Sequence, residues 1–237
     1  CLVSSLTNKA LPSDVFRVEL WAVLWAEGLK IDVVGGVALA SVVPALTMAW
    51  CAAAYRMIGK DALVCSAETA GSLFEADYPN PHEIGADRVA DAVAAKALYG
   101  APVIVVDFGT ATNMEVVDAD GRFIGGVIAP GVETSASALF SHATKLGAID
   151  LVDPHTAIGH NTEEAIQAGI VYGEADRVDG IIRRIFAQPG YETPVVATGG
   201  LASRVAAQSQ TITAINPELT LEGLRLVYEA QEGAASV

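Results

Sequence analysis

From Ser13 to Gly28 the apolar residues Val15, Val18, Leu20, Val23 and Leu24 recur at helical spacing, with Asp14 near the start and Gly28 at the end. This pattern predicts a helix. The next run, Val33 to Tyr55, carries no charge and is long enough on paper to span a bilayer. Its halves differ, however: β-branched before Pro44, Ala-rich after it, with Gly35–Gly36 as a further break. It reads as a buried strand over Val33 to Val43, then a helix with Pro44 in its first turn. A short strand near Leu63 to Cys65 and a polar passage through Asn80 and Pro81 lead to a helix from about His82 to Tyr99, ended by Gly100 and Pro102.

After residue 100 the period changes. Three apolar stretches follow in immediate succession, Val103 to Asp107, Asn113 to Asp118 and Phe123 to Ala129, with Asp118-Ala-Asp-Gly121 as a hairpin turn. They predict an antiparallel meander. Helical patterns follow from about Val132 to Leu146 and from Asn161, with a break, to about Ala187. Asn161 and Glu164 have the spacing of a capping box. A strand at Pro194 to Ala197, a helix after Gly200, a strand near Thr213 and a helix from Pro217 complete the chain. The order β-β-β-α-β-α-β-α is that of the ribonuclease-H-like unit of the actin, hexokinase and Hsp70 superfamily. The expected fold is therefore α/β with two such units, residues 1–100 and 101–237, the first truncated at its N-terminus. Such a fold binds nucleotide in the cleft between its units, with Gly-rich turns facing the phosphates.

Charge narrows the choice of ligand. The 237 residues carry a formal net charge of −14, which argues against a nucleic-acid partner, since that binding relies on clustered Lys and Arg. An anionic ligand must then be held by backbone N–H groups, hydroxyls, one or two local basic residues or a cation. Cys1, Cys51 and Cys65 form no CxxC pair and leave an odd count, as suits a reducing cytosol and not a disulfide framework or a zinc site. No signal peptide is evident, and a chain beginning at Cys1 reads as having lost its natural start.

The candidate chemistry lies in short motifs. In "DFGTAT", Asp107 to Thr112, Gly109 lets backbone approach a ligand, Thr110 and Thr112 offer hydroxyl donors, and Asp107 at the strand end suits a cation that offsets phosphate charge. Gly125–Gly126 and the Gly131 turn bracket the third strand ahead of a helix N-terminus that could face an anion. "TGG", Thr198 to Gly200, follows a strand and precedes a helix, where such folds contact base and ribose. In "GADR", Gly85 to Arg88, Glu83, Asp87 and Asp91 stack at i, i+4 spacing on the expected helix. That face is either a solvated acidic surface or a cleft wall. In the second case Asp87 could act as base toward a substrate hydroxyl, and Arg88 could clamp a carboxylate.

"NPHEIGADR" (Asn80 to Arg88), "DFGTAT", "GGVIAPG" (Gly125 to Gly131), "IGHNTEEAIQAG" (Ile158 to Gly169), "TGG" and "PELTLEGL" (Pro217 to Leu224), in this order and spacing, resemble type III pantothenate kinase over nearly the whole chain. The resemblance implies ATP-dependent phosphorylation of the pantothenate primary alcohol, the first step towards coenzyme A, by a cytoplasmic homodimer with no membrane segment. It implies Asp87 as general base, and Tyr78, Gly85, Ala86, Asp87 and Arg88 around pantothenate, with Thr162 of a second subunit closing the pocket. It further implies ATP contacts at Gly109, Thr110, Thr198 and Gly199, Mg²⁺ accompanying the nucleotide, and a potassium or ammonium ion at Asp107. Phosphoryl transfer asks mainly for positioning and charge neutralisation, which agrees with a site lacking a strong nucleophile.

Two departures stand out. Nothing in Cys1 to Asp14 matches the family's opening strand and Gly-Asn-Thr turn, and His160 stands where a basic residue often precedes Asn-Thr. The first departure favours an alternative, a non-catalytic ligand-binding or regulatory relative of the same fold. A phosphate-ester hydrolase is the weaker third reading.

Overall fold

The structure is a computed structural model, and it describes residues 13–142 and 149–235. In chain order its elements are α1 (Ser13–Ala26), β1 (Ala38–Leu39), α2 (Pro44–Ile58), β2 (Leu63–Val64), α3 (Ala67–Ala70), β3 (Glu75–Ala76) and α4 (Ala86–Tyr99). Then follow β4 (Val103–Phe108), β5 (Ala111–Val117), β6 (Arg122–Pro130), α5 (Val132–His142), α6 (Thr162–Gln167) and α7 (Gly173–Phe186). The chain ends with β7 (Val195–Thr198), α8 (Ala202–Ala206), β8 (Ala214–Ile215) and α9 (Leu219–Ala235). Two compact units form, one from residues up to Glu75 with Pro79–Val93 and the chain from Thr220 onward, the other from Ala76–Tyr78 and Ala94–Leu219.

In the first unit α1 and α2 pack through Phe16, Leu46 and Ala53, with the Phe16 and Trp50 rings stacked at 4.4 Å. Pro44 opens α2 as expected, because its missing N–H costs nothing at a helix start. The uncharged run is thus divided between β1 and α2, and no described helix is long and apolar enough to cross a membrane. The strand expected over Val33 to Val43 is much shorter. Only Ala38 and Leu39 find a partner, pairing in parallel with Leu63 and Val64, and Ile31–Val33 forms a 3-10 turn instead. β-Branched composition favours extended backbone, but a strand needs a neighbour to hydrogen-bond.

The helix expected from His82 starts at Ala86. Pro81–Glu83 closes a separate 3-10 turn and Ile84 is extended, so Glu83 never joins the helix. The acidic stack shrinks to Asp87 and Asp91, and Asp91 is 1% exposed, accepting from Thr220 Oγ1 at 2.6 Å. A fully solvated acidic face is thereby excluded.

The second unit is built on a six-stranded mixed sheet in the order β3-β6-β5-β4-β7-β8. β4, β5 and β6 form the expected meander, with Asp118 and Gly121 closing the second hairpin. β7 and β8 add in parallel beyond β4. Three antiparallel strands extended by parallel ones is the ribonuclease-H-like arrangement. One sheet face, through Ile104, Val106, Phe108, Val195 and Ala197, packs on Val132 and Ala136 of α5, Ala175, Val178 and Ile182 of α7, and Ala202 and Val205 of α8. Alternation along β4 then sends Val105 and Asp107 to the opposite face.

The helix from Val132 is described to His142; its expected continuation to Leu146 lies outside the described residues, as does Cys1. The expected break in the long helix is a π turn, Ala168–Tyr172, between α6 and α7.

Candidate active site

The C-terminal ends of β4 and β7 bring together most residues expected to meet ATP. Asp107 lies opposite Asn113 on β5 and is in register with Thr198 on β7. Residues directly opposite on neighbouring strands share a face, so the three side chains project from the same side of the sheet. Asp107 is half-buried, and its carboxylate lies between two glycine turns. A Cβ on Gly199 would sit 2.4 Å from Asp107 Oδ1 and 2.6 Å from the Phe108 carbonyl, and Gly199 has φ +90. No other residue fits there without moving β4. A Cβ on Gly109, by contrast, would make only ordinary contacts, 3.6 Å from Asp107 Oδ2 and from the Ala111 carbonyl.

Thr198 is 1% exposed and Thr198 Oγ1 has no hydrogen-bond partner; Asn113 Oδ1 is likewise buried and unpartnered. Such groups are uncommon in folded chains and call for an explanation. Thr110 is exposed at the tip of the β4–β5 turn, and its carbonyl accepts from Gly131 N at 3.1 Å and from Thr134 Oγ1 at 2.6 Å. The β6–α5 turn is thus tied to the β4–β5 turn.

The expectation that Thr112 offers its hydroxyl to a ligand is overturned. Thr112 is fully buried and donates to Glu174 Oε1 at 2.6 Å, and Glu174 Oε2 pairs with Arg177 at 2.5 Å. The sequence reading passed over Glu174 and Arg177, because an i, i+3 Glu-Arg pair on a helix looks like a surface pair. The one available signal is the expected break in the long helix just ahead of them.

Gly85, Ala86, Asp87 and Arg88 belong to the first unit. Ala86 and Asp87 open α4, and Asp87 Oδ1 accepts from Arg88 N at 2.9 Å. A Cβ on Gly85 would lie 2.6 Å from that same oxygen, so glycine leaves room for the carboxylate. Asp87 and Asp91 also make themselves felt at Cys65. Burial first, then these two carboxylates, push the Cys65 thiol up to about 11.

Tyr78 belongs to the second unit and packs edge-on against Phe123, ring centroids 5.9 Å apart. Thr162, also in the second unit, is the exposed first residue of α6. The capping box there is shifted by one residue: Asn161 Oδ1 accepts from Glu164 N at 2.9 Å, but Glu164 reaches back to His160 N, at 2.8 Å. His160 is exposed. Among the described residues no three His, Cys, Asp or Glu side chains cluster as a metal site would require.

The family model described as type III pantothenate kinase matches residues 3–184. A type III pantothenate kinase of Roseiflexus castenholzii is 47% identical over 224 residues, covering 94% of this chain and 87% of that one. One from Moorella thermoacetica is 44% identical over 223 residues, with the same coverage. Among solved structures, the ROK hexokinase from Thermus thermophilus is 13% identical and covers 96% of this chain and 89% of its own, with a TM-score of 0.45. The family assignment rests on the sequence matches, which at this identity and coverage leave one conclusion: the chain belongs to the type III pantothenate kinase family.

Proposed function

We propose that the protein transfers the γ-phosphoryl group of ATP to the primary alcohol of pantothenate, giving 4′-phosphopantothenate and ADP in the first step of coenzyme A biosynthesis. Beyond family membership, the observation that carries this reading is the cluster of turns around Asp107, where Gly199 and Gly131 bring backbone together at the sheet end. A Cβ on Gly131 would lie 2.3 Å from the Gly109 carbonyl. The Gly109–Thr110 turn is the part of this cluster that meets the ATP phosphates, with Thr198 and Gly199 on the nucleotide from β7. Gly109 itself has room for a Cβ within the fold, which leaves close approach of a ligand as the reason for a glycine there.

Asp107 with the unpartnered oxygens of Asn113 and Thr198 is a donor set suited to a monovalent cation, potassium or ammonium. When bound, this ion supplies positive charge that offsets the phosphates. Mg²⁺ arrives with the nucleotide. In the transfer step the pantothenate oxygen forms its bond to the γ-phosphorus as the bond to the β–γ bridging oxygen breaks. The hydroxyl proton passes to the Asp87 carboxylate, and ADP leaves. Gly85, Ala86 and Tyr78 are assigned to pantothenate together with Asp87, and Arg88 to its carboxylate. Thr162 of a second subunit closes the site, so the working form is a homodimer, in the cytoplasm. Each of the two units is read as a ribonuclease-H-like domain, with α9 counted to the first.

ADP release measured with and without pantothenate, in potassium or in sodium, tests this reading. Release that requires pantothenate and rises with potassium is expected. Release indifferent to pantothenate makes the protein a hydrolase, and ligand binding without turnover makes it a regulatory relative.

A further inference from the structure

The start of β5 and the end of β6 are neighbours, Ala111 pairing with Pro130 and Thr112 with Ala129. The turns that precede and follow them are joined through the Thr110 carbonyl. Glu174 connects the two strands a second time, from the buried side. Its Oε1 accepts from Thr112 Oγ1 at 2.6 Å, its Oε2 pairs with Arg177 at 2.5 Å, and Arg177 donates to the Pro130 carbonyl at 2.7 Å. Glu174 is only 5% exposed.

Only the glutamate of this pair is buried, Arg177 keeping 29% of its side chain exposed; a buried carboxylate held this way contributes little to stability that apolar packing could not match, and its best-attested use is to fix one arrangement. Glu174 reaches its position through the π turn at Ala168–Tyr172. An extra residue in a helical turn rotates everything after it by about 100° relative to an uninterrupted helix. The irregularity and the buried carboxylate therefore belong together, and π turns are frequent at functional sites.

We propose that Glu174 and Arg177 are positioning residues that set the spacing of the β4–β5 and β6–α5 turns for the ATP phosphates, acting through Thr112 and the Pro130 carbonyl. The proposal rests on the reading of the Gly109–Thr110 turn as the phosphate loop. Neither side chain touches nucleotide in this account. Their loss is felt as weaker ATP binding, with pantothenate binding spared.

Thr112→Val keeps the shape and removes the hydroxyl; Thr112→Ser keeps the hydroxyl. The valine variant is expected to raise KM for ATP by about tenfold, less than the roughly 100-fold that a 1 Å misplacement can cost, with KM for pantothenate within about twofold of wild type. The serine variant restores KM for ATP, and Glu174→Gln falls between. ADP binding by calorimetry, which needs no turnover, should weaken in the same order. The clamp is refuted if Thr112→Val lowers Tm but leaves ATP KM and ADP affinity unchanged, or if both substrates' KM values rise together. Wild-type protein that binds ADP but fails to phosphorylate pantothenate overturns the kinase reading while the ADP series still decides the clamp; wild-type protein that binds no ADP overturns both.

Discussion

Gly199→Ala is the sharpest perturbation the structure offers. The added methyl meets Asp107 Oδ1 at 2.4 Å and the Phe108 carbonyl at 2.6 Å, on a backbone with φ +90. A side chain held in that conformation costs about 1–3 kcal/mol, and forcing atoms into a packed space costs about 1–3 kcal/mol more. The carboxylate can swing aside, but the carbonyl belongs to β4 and cannot. A net loss of about 2–6 kcal/mol follows, which in a chain of this size lowers Tm by about 4–24 °C. Gly200→Ala is the internal control, since nothing lies within 4 Å of a Cβ there and its φ is not positive. Thermal unfolding followed by circular dichroism should separate the neighbours clearly. The displaced Asp107 carboxylate should also remove potassium stimulation from whatever Gly199→Ala remains folded. Equal Tm values for the two variants, with potassium stimulation intact, would refute the claim that this turn is built against Asp107.

Burial alone would raise Asp179, but hydrogen bonds from Ser209 and Thr211 and from the Gln210 and Thr211 amides hold its carboxyl below the usual range. A depressed carboxyl stabilises the fold above its unfolded pKa of about 3.9, and that contribution is lost as pH falls through the folded value. Asp179→Ala leaves these buried donors unpaired and should lose about 1–3 kcal/mol at pH 7, and its Tm should depend less on pH below about 4 than that of wild type. Cys65, with its thiol at about 11, should resist alkylation at pH 8 until the protein unfolds, as followed by mass spectrometry of the labelled peptides. Labelling of Cys65 in the native protein as fast as in denaturant would contradict its burial beside Asp87 and Asp91.

Elements set by local chemistry were legible in the sequence. Pro44 announces α2, Asp118 to Gly121 announces a hairpin, and alternation over Val103 to Ala129 announces the meander, because each signal is contained within a few residues. What depended on distant partners was not. The strand expected from Val33 shrinks to two residues because pairing, and not composition, decides where a strand runs. Thr112 looked like a ligand donor beside Thr110, yet its partner is Glu174, 62 residues away. Glu174 and Asp179 drew no reading from the sequence and are both buried, each held by groups that only the fold brings near. The motifs around Asp87 and Asp107 were recognised as a set, while the reason for Gly199 needed the position of β4.

The most direct test of the central claim is to identify the product. Incubated with ATP, Mg²⁺, potassium and pantothenate, the protein should yield a new phosphomonoester by ³¹P NMR, with the mass of 4′-phosphopantothenate and one equivalent of ADP. Asp87→Asn should cut its rate by at least about 100-fold while leaving Tm close to wild type. No phosphorylated pantothenate from the folded wild-type protein, or undiminished product from Asp87→Asn, would contradict the account.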